Sequence, residues 1–167
     1  LRLGWKERAH TMSRYFFSHQ RPAAWRHWAE VIWREERTPK FIGDMPHTWV
    51  GSDFIRAILS FFAYEREDDQ TLVIGAGLLP EWLEKGQGVR VKNIGTWWGS
   101  LSYNASRKGG TTTIQLLGSL KVPQGGIEVH IPDPNPIREI WINNHRLEKP
   151  SHRINVHDLP ATVVVHQ

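Results

Sequence analysis

The sequence predicts an α+β fold, with N-terminal helices followed by an antiparallel β-sandwich, on three observations. Apolar residues recur at helical spacing before about residue 70 and lie in short β-rich runs after it. Gly, Pro and Asn separate these later runs about every 8–12 residues, as in sandwich proteins. The pattern does not alternate strands with long helices, as a parallel sheet would require. We therefore predict a helical segment over residues 1–68 and a β-sandwich domain over 69–167.

Three helices are predicted in the first segment, over about 5–19, 22–33 and 46–64. The second starts at Pro22, whose fixed backbone angle suits the first helical turn. In the third, apolar side chains spread over roughly 180° of the helix surface, which is wider than the stripe of an ordinary surface helix. Because each exposed Phe, Ile or Leu forfeits about 1.5–3 kcal/mol, we expect cover from further helices in a longer polypeptide.

Eight strands are predicted in the second segment, at about 71–75, 88–94, 98–106, 111–117, 125–131, 137–143, 153–156 and 161–166. Apolar and polar residues alternate over Leu101–Ser106, as in a sheet with one face in water. Arg107–Gly110 predicts a hairpin, and Asn143–Asn144 a tight turn. Trp97 and Trp98 are adjacent, so we expect one ring to enter the core and the other to face outward.

Composition excludes several classes of function. The chain has no Cys, which excludes disulfides, thiol nucleophiles and thiolate metal sites. Its net charge is +4, but basic and acidic residues are mixed, as in Glu65–Asp69, so we expect no nucleic-acid partner. No apolar run approaches the ~20 residues of a membrane span, so we expect no membrane partner. The compartment stays open, with the periplasm or secretion favoured.

No cofactor and no metal are predicted. Gly75 and Gly77 follow a predicted strand, but Pro80 stands where a dinucleotide-binding turn needs a small residue. We interpret these glycines as a tight bend between the helical and β segments. The nine His residues show none of the close spacings typical of zinc sites.

The densest chemistry lies between the second and third predicted helices. Glu30 and Asp44 stand among apolar residues, where burial can raise the pKa of a carboxyl group towards that of a general acid. A pair of carboxyl groups is what hydrolysis of a glycosidic bond requires. His47 could donate to a sugar hydroxyl, and Trp49 could stack beneath a sugar ring. The structural alternatives are that Asp44 caps the third helix, Glu30 pairs with an Arg, and Trp49 packs between helices.

Four stretches occur in one order: WAEVIW from Trp28, FIGDMPHTWVGSDF from Phe41, LVIGAGLLPEWL from Leu72 and GSLSY from Gly99. Together they resemble the C-terminal end of bacterial glycoside hydrolases built on a six-hairpin α-toroid. Several of these are described as coagulation factor 5/8 type or discoidin-domain proteins, and the α-L-rhamnosidases are similar more distantly. The resemblance runs from about Arg21 to the end of the chain.

The resemblance implies a C-terminal fragment of a carbohydrate-active enzyme, in which the helices end an α/α toroid. It implies that His47 is a toroid-rim residue that contacts sugar and that Glu30 and Asp44 lie near the cleft. Since most of the toroid lies in the remainder of the parent polypeptide, we expect no activity from the fragment alone. The expected partners are that remainder and a carbohydrate substrate. The alternatives are a non-catalytic carbohydrate-binding module and a protein-interaction domain that forms a homo-oligomer.

Overall fold

A computed structural model describes residues 1–20, 23–31, 33 and 43–167. Contacts between residues divide the chain into two compact units, Leu1–Ser60 and Phe61–Gln167. We call these the helical unit and the sandwich unit, and describe each by itself. The predicted domain boundary after residue 68 stays a prediction.

The helical unit contains most of the helical structure. Helix α1 spans Lys6–Ser18, a short 3-10 turn spans Ala23–Trp25, and helix α2 spans Thr48–Phe62. Helices α1 and α2 confirm the first and third predicted helices, although the third was expected to run on to Tyr64. None of the helices in the described part of the chain is both long and apolar enough to cross a membrane.

The prediction of a second helix over 22–33 is wrong for the residues that the structure describes. After the 3-10 turn, Arg26 has a φ of 54°, which a right-handed helix cannot contain. The backbone that follows makes hydrogen bonds to residues 43–47 instead of to its own preceding turn. Non-local pairing therefore outweighs the helical spacing of the apolar residues here. Pro22 and Ile32, which belong to the same prediction, lie outside the described residues.

Helices α1 and α2 contact each other through an aromatic cluster centred on Phe54. The Phe54 ring lies 4.9 Å, centre to centre, from Phe17 in an edge-on arrangement and 4.2 Å from Trp28. Trp28 also donates its indole N–H to the carbonyl of Phe16, at 3.0 Å. Rings at these separations attract beyond their buried area alone. This cluster is small, and most other large apolar side chains of the helical unit are exposed to solvent.

The sandwich unit contains ten strands and a five-residue helix, α3, at Pro80–Glu84. The strands are β1 (Ala63–Arg66), β2 (Thr71–Ile74), β3 (Val89–Thr96), β4 (Gly99–Lys108), β5 (Thr111–Gly118), β6 (Ile127–His130), β7 (Glu139–Ile142), β8 (His145–Arg146), β9 (Arg153–Val156) and β10 (Ala161–His166). One sheet has the order β1-β2-β6-β9 and the other β3-β4-β5-β10-β7-β8. All pairs are antiparallel except β2 with β6.

Apolar side chains from both sheets form one buried core, which confirms the predicted α+β class with a β-sandwich. Leu72 and Ile127 from the first sheet and Leu116 and Val163 from the second are fully enclosed. All eight predicted strands are present. The sequence does not predict strands β1 and β8. Strand β1 continues the helical pattern of α2 and is a strand because it pairs with β2. Strand β8 has only two residues, too few for a recognisable pattern.

The predicted turns are present in the sandwich unit. Gly109 and Gly110 both have positive φ in the β4–β5 hairpin, as do Asn143 and Asn144 between β7 and β8. The segment Gly75–Gly77 approaches the end of helix α2 closely. The Gly77 amide donates to the Phe61 carbonyl at 3.0 Å, and a Cβ on Gly77 would lie 2.6 Å from the Phe61 Cα. Trp97 is 64% exposed while Trp98 packs against the core, as predicted.

Candidate functional site

Two irregular segments of the helical unit, residues 28–31 and 43–47, are held side by side by backbone hydrogen bonds. The Glu30 amide donates to the Asp44 carbonyl at 3.0 Å, and the Gly43 amide donates to the Val31 carbonyl at 2.9 Å. The His47 amide donates to the Trp28 carbonyl at 2.9 Å. Because these bonds fix the backbone at both ends of each segment, the side chains that the segments carry have defined positions.

The pairing brings three of the four predicted site residues together. Glu30, Asp44 and His47 each have one carboxylate oxygen or ring nitrogen within 4.8 Å of the other two. The two carboxylates are exposed and the imidazole is half-buried. The expected burial of Glu30 and Asp44 is therefore wrong for the chain as described, since their apolar neighbours in sequence do not enclose them.

Gly43 makes the close approach of the two segments possible. A Cβ at this position would lie 2.7 Å from the Glu30 Cβ and 2.8 Å from its Oε2. Real Cβ atoms do not come this close, so any other residue would displace the Glu30 side chain. Sequence reasoning missed this role. No local pattern marked it, because the close approach is to a segment that lies far from Gly43 along the chain.

His47 and Trp49 are positioned by the start of helix α2. His47 directly precedes the helix, and its carbonyl accepts a hydrogen bond from the Gly51 amide at 3.2 Å. The sequence predicts His47 in the first turn of the third helix, and the structure places it immediately before that helix. Trp49 is 73% exposed, which excludes the alternative that it packs between helices of the described chain. A flat, exposed indole therefore follows His47 closely in the sequence.

The cluster can act in two chemical ways. Two carboxylates beside an imidazole can exchange protons with a bound substrate. The same oxygen and nitrogen donors are ligands that zinc and similar divalent cations accept. Sequence spacing did not reveal these three residues as possible metal ligands, because Glu30 lies far from Asp44 and His47 along the chain. Exposed acidic groups also often approach one another with no ion between them.

A second group of charged side chains lies on strands β1 and β6 of the sandwich unit. Arg66 donates to both Asp69 and Glu128, and the His130 Nε2 lies 2.7 Å from the Glu128 Oε1. The hydrogen bond from Arg66 lowers the pKa of Asp69 to about 2. Burial acts to raise the pKa of Glu128, but hydrogen bonds from Arg66 and His130 outweigh it and lower that pKa. These charges satisfy one another, so we assign this group a role in stability.

No family model matches this chain, and no curated protein is similar to it. A solved structure that is similar is that of an α-L-rhamnosidase from Dictyoglumus thermophilum, at 13% identity and a TM-score of 0.43. The match covers 68% of this chain and 13% of the rhamnosidase chain. This chain therefore spans a small part of that enzyme's length. The toroid, the discoidin association and the bacterial source stay predictions.

Proposed function

We propose that this chain forms part of the cleft rim of a glycoside hydrolase and adds a structural β-sandwich to it. In this proposal Glu30 and Asp44 supply the carboxyl pair, while His47 and Trp49 contact the sugar. The observation that carries the proposal is the convergence of Glu30, Asp44 and His47 within 4.8 Å, from segments that are separated in sequence. The remainder of a longer polypeptide would supply the other walls of the cleft.

One carboxylate oxygen of Glu30 lies within 4.8 Å of one of Asp44, and this short separation favours a retaining reaction. Retaining enzymes hold their two carboxyl groups ~5 Å apart, and inverting enzymes hold them ~6.5–9.5 Å apart to admit a water molecule. One carboxylate attacks the anomeric carbon while the other, protonated, gives its proton to the departing oxygen. Water then cleaves the glycosyl ester, and the second carboxylate takes the proton of that water. Cover from the rest of the polypeptide would exclude bulk water from the reacting groups.

The test uses the longest polypeptide that the reading frame encodes, assayed on a panel of aryl glycosides. Glu30→Gln and Asp44→Asn should each lower kcat/KM by roughly 10²–10⁴-fold, since each removes a proton-transfer or nucleophilic group. His47→Ala should also lower kcat/KM strongly. The matched controls are Glu7→Gln and Asp53→Asn, which make the same changes at exposed positions on α1 and α2. Unchanged kinetics in Glu30→Gln and Asp44→Asn would contradict the proposal.

A chelator separates the two chemical roles of the cluster. Proton transfer by a carboxyl pair needs no ion, so EDTA should leave kcat/KM unchanged. A metal site would give a different result: EDTA would lower kcat/KM, and zinc would restore it in the parent chain but not in His47→Ala.

A second candidate is a protein-interaction module that associates with itself. The observation that favours it is the set of exposed aromatic and aliphatic side chains on α1 and α2, such as Met12, Phe17 and Ile55. Sedimentation of the isolated chain would then show a concentration-dependent dimer. A monomer at all concentrations that joins a separately expressed upstream segment would support the cleft-rim proposal over this one.

A further inference from the structure

The outer face of strands β3, β4 and β5 forms an open groove of about 560 Å³. Ligand sites in proteins occupy about 300–1,000 Å³, so this groove has the size of a binding site. Its lining includes the polar residues Arg90, Lys92, Asn93, Ser102, Asn104 and Gln115. The groove lies within the sandwich unit and shares no residue with the Glu30 cluster.

The pleat of the sheet explains why polar side chains meet in this groove. Along β4, Leu101, Tyr103 and Ala105 are buried in the core, so the alternate residues face outward. Arg90 is the direct cross-strand partner of Asn104, which is the partner of Gln115. Directly opposite side chains in a sheet stand ~5 Å apart. A guanidinium and two amides therefore form a continuous row across three strands.

A β-bulge shapes one side of the groove. The register of β3 against β4 shifts between Val91 and Ile94, and Asn93 has a φ of 51°. The Asn93 amide donates to the Ser102 Oγ at 2.9 Å, and the Ser102 hydroxyl donates to the Asn93 Oδ1 at 3.2 Å. Bulges re-aim side chains at the edges of sheets and are common beside binding sites. Here the bulge and its two hydrogen bonds tie the segment after Lys92 to strand β4.

The charge in the groove has one sign. Arg90 and Lys92 are exposed cations, and no Asp or Glu lies among the residues that line the groove. Within the described residues, no hydrogen bond or ion pair involves the side chain of Arg90, Lys92, Asn104 or Gln115. Arg107 differs, because it is paired with Glu84 and Asp133. The donors in this groove are therefore available to a ligand.

We propose that this groove binds an acidic oligosaccharide, such as a chain of uronic acids. Arg90 and Lys92 would bind its carboxylates, since guanidinium and ammonium groups make charge-assisted hydrogen bonds to such anions. Asn104 and Gln115 would bind its hydroxyls, because each amide offers both a donor and an acceptor. Leu117, exposed beside this row, would contact the apolar face of a sugar ring.

The groove fits an acidic sugar better than a nucleic acid. Single-stranded nucleic acids are held by aromatic rings on which their bases stack. The one aromatic residue that lines the groove is Tyr103, and its ring is 3% exposed and buried in the core. The two positive charges of the groove match the carboxylates of a short acidic sugar. A phosphate backbone requires a more extended basic surface.

The test is calorimetric titration of the whole chain with a short oligogalacturonate, at about 0.1 M salt so that long-range attraction is screened. Oligogalacturonate should bind, and a neutral malto-oligosaccharide of equal length should bind at least about tenfold more weakly. The double variant Arg90→Gln/Lys92→Gln should raise the Kd for oligogalacturonate by roughly tenfold or more. Gln115→Ala should raise it by about threefold.

The matched control is Lys121→Gln/Lys149→Gln, which removes the same charge from exposed positions outside the groove and should leave Kd unchanged. Circular dichroism checks that every variant is folded. The proposal would be overturned by an absence of oligogalacturonate binding, by equal weakening in the control, or by equal affinity for the neutral sugar. A single-stranded oligonucleotide that binds as tightly, with the same dependence on Arg90 and Lys92, would overturn the assignment to a sugar.

Discussion

The two units of this chain differ in where they keep their apolar side chains. In the sandwich unit the large hydrophobics are buried in one core, and Trp97 and Leu117 are the exposed exceptions among its residues. In the helical unit the described residues show the reverse. Ala29 is the one buried hydrophobic there, while thirteen large hydrophobics are exposed. The sequence predicts that further helices cover the apolar surface before residue 70, and this stays a prediction.

The two units also differ in where their stability comes from. Burying a large apolar side chain stabilises a fold by about 1.5–3 kcal/mol, and the sandwich unit gains this many times over. Most of the described aromatic residues of the helical unit are exposed, so they do not contribute this stabilisation. The helical unit nevertheless carries the Glu30 cluster and the exposed Trp49. We infer that the sandwich unit is stable by itself and that the helical unit requires cover from another surface.

The largest predicted effect contrasts one leucine from each unit. Leu116→Ala empties a fully buried position on β5 and should lower the free energy of unfolding by about 2–5 kcal/mol, through lost burial and the cavity left behind. Leu59→Ala on α2, where the side chain is 46% exposed, should change it by less than about 0.5 kcal/mol. Urea unfolding followed by circular dichroism measures both. Equal losses would remove the contrast between the units.

Two glycines sharpen the comparison because alanine should act on them in opposite directions. Gly77→Ala places a methyl group against the backbone of Phe61 and should destabilise the sandwich unit by about 1–3 kcal/mol. Gly51→Ala lies within helix α2 with open space around the new Cβ, and should stabilise the helix by about 0.5–1 kcal/mol. Thermal unfolding measures both changes: the Tm should fall in Gly77→Ala and rise in Gly51→Ala. A destabilising Gly51→Ala would show that this face of α2 is covered.

The charged group of the sandwich unit predicts a dependence of stability on pH. The folded-state pKa of Glu128 is lowered, so its contribution is present above its unfolded pKa of about 4.3 and is lost as the pH falls further. Burial lowers the pKa of His130, which acts in the same direction below about pH 6.5. Glu128→Gln should therefore cost roughly 1 kcal/mol at pH 7 and progressively less below pH 4.

Urea unfolding from pH 7 to pH 3 measures the effect. Glu148→Gln, in an exposed loop, is the matched control and should follow the parent chain at every pH. A Glu128→Gln variant that tracks the parent down to pH 3 would contradict the role assigned to the ion pairs.

The smallest predicted effect compares two tryptophans of the helical unit. Trp49→Ala should change the free energy of unfolding by less than about 0.5 kcal/mol, because the indole is 73% exposed. Trp28→Ala removes the ring that packs at a tilt against Phe54 and the hydrogen bond to the Phe16 carbonyl, so it should loosen α1 from α2. Circular dichroism at 222 nm follows the loss of helix. A large cost of Trp49→Ala would place that ring in a packed interface.

Local patterns predicted most of the sandwich. Alternation over β4 and the Gly109–Gly110 turn both depend on neighbours in sequence, so they could be recognised without the fold. The failures involve pairing between distant segments. Strand β1 exists because it pairs with β2, and residues 28–31 are irregular because they bond to 43–47. The row of Arg90, Asn104 and Gln115 was missed for the same reason, since each stands on a different strand and none forms a motif.

The candidate site shows the same limit. Glu30, Asp44, His47 and Trp49 were selected from residue type and resemblance, and the structure brings the first three together. What the sequence could not give was their exposure, because enclosure depends on every segment packed around them. Their catalytic and binding roles stay a proposal.

Amide hydrogen exchange of the isolated chain measures the difference in stability between the two units directly. We predict that amides of β4, β5 and β10 exchange through global unfolding, while amides of α1 and of residues 48–60 exchange orders of magnitude faster through local opening. Addition of a covering upstream segment should slow the second group alone. Protection of α1 and residues 48–60 equal to that of the three strands, in the isolated monomeric chain, would contradict the account.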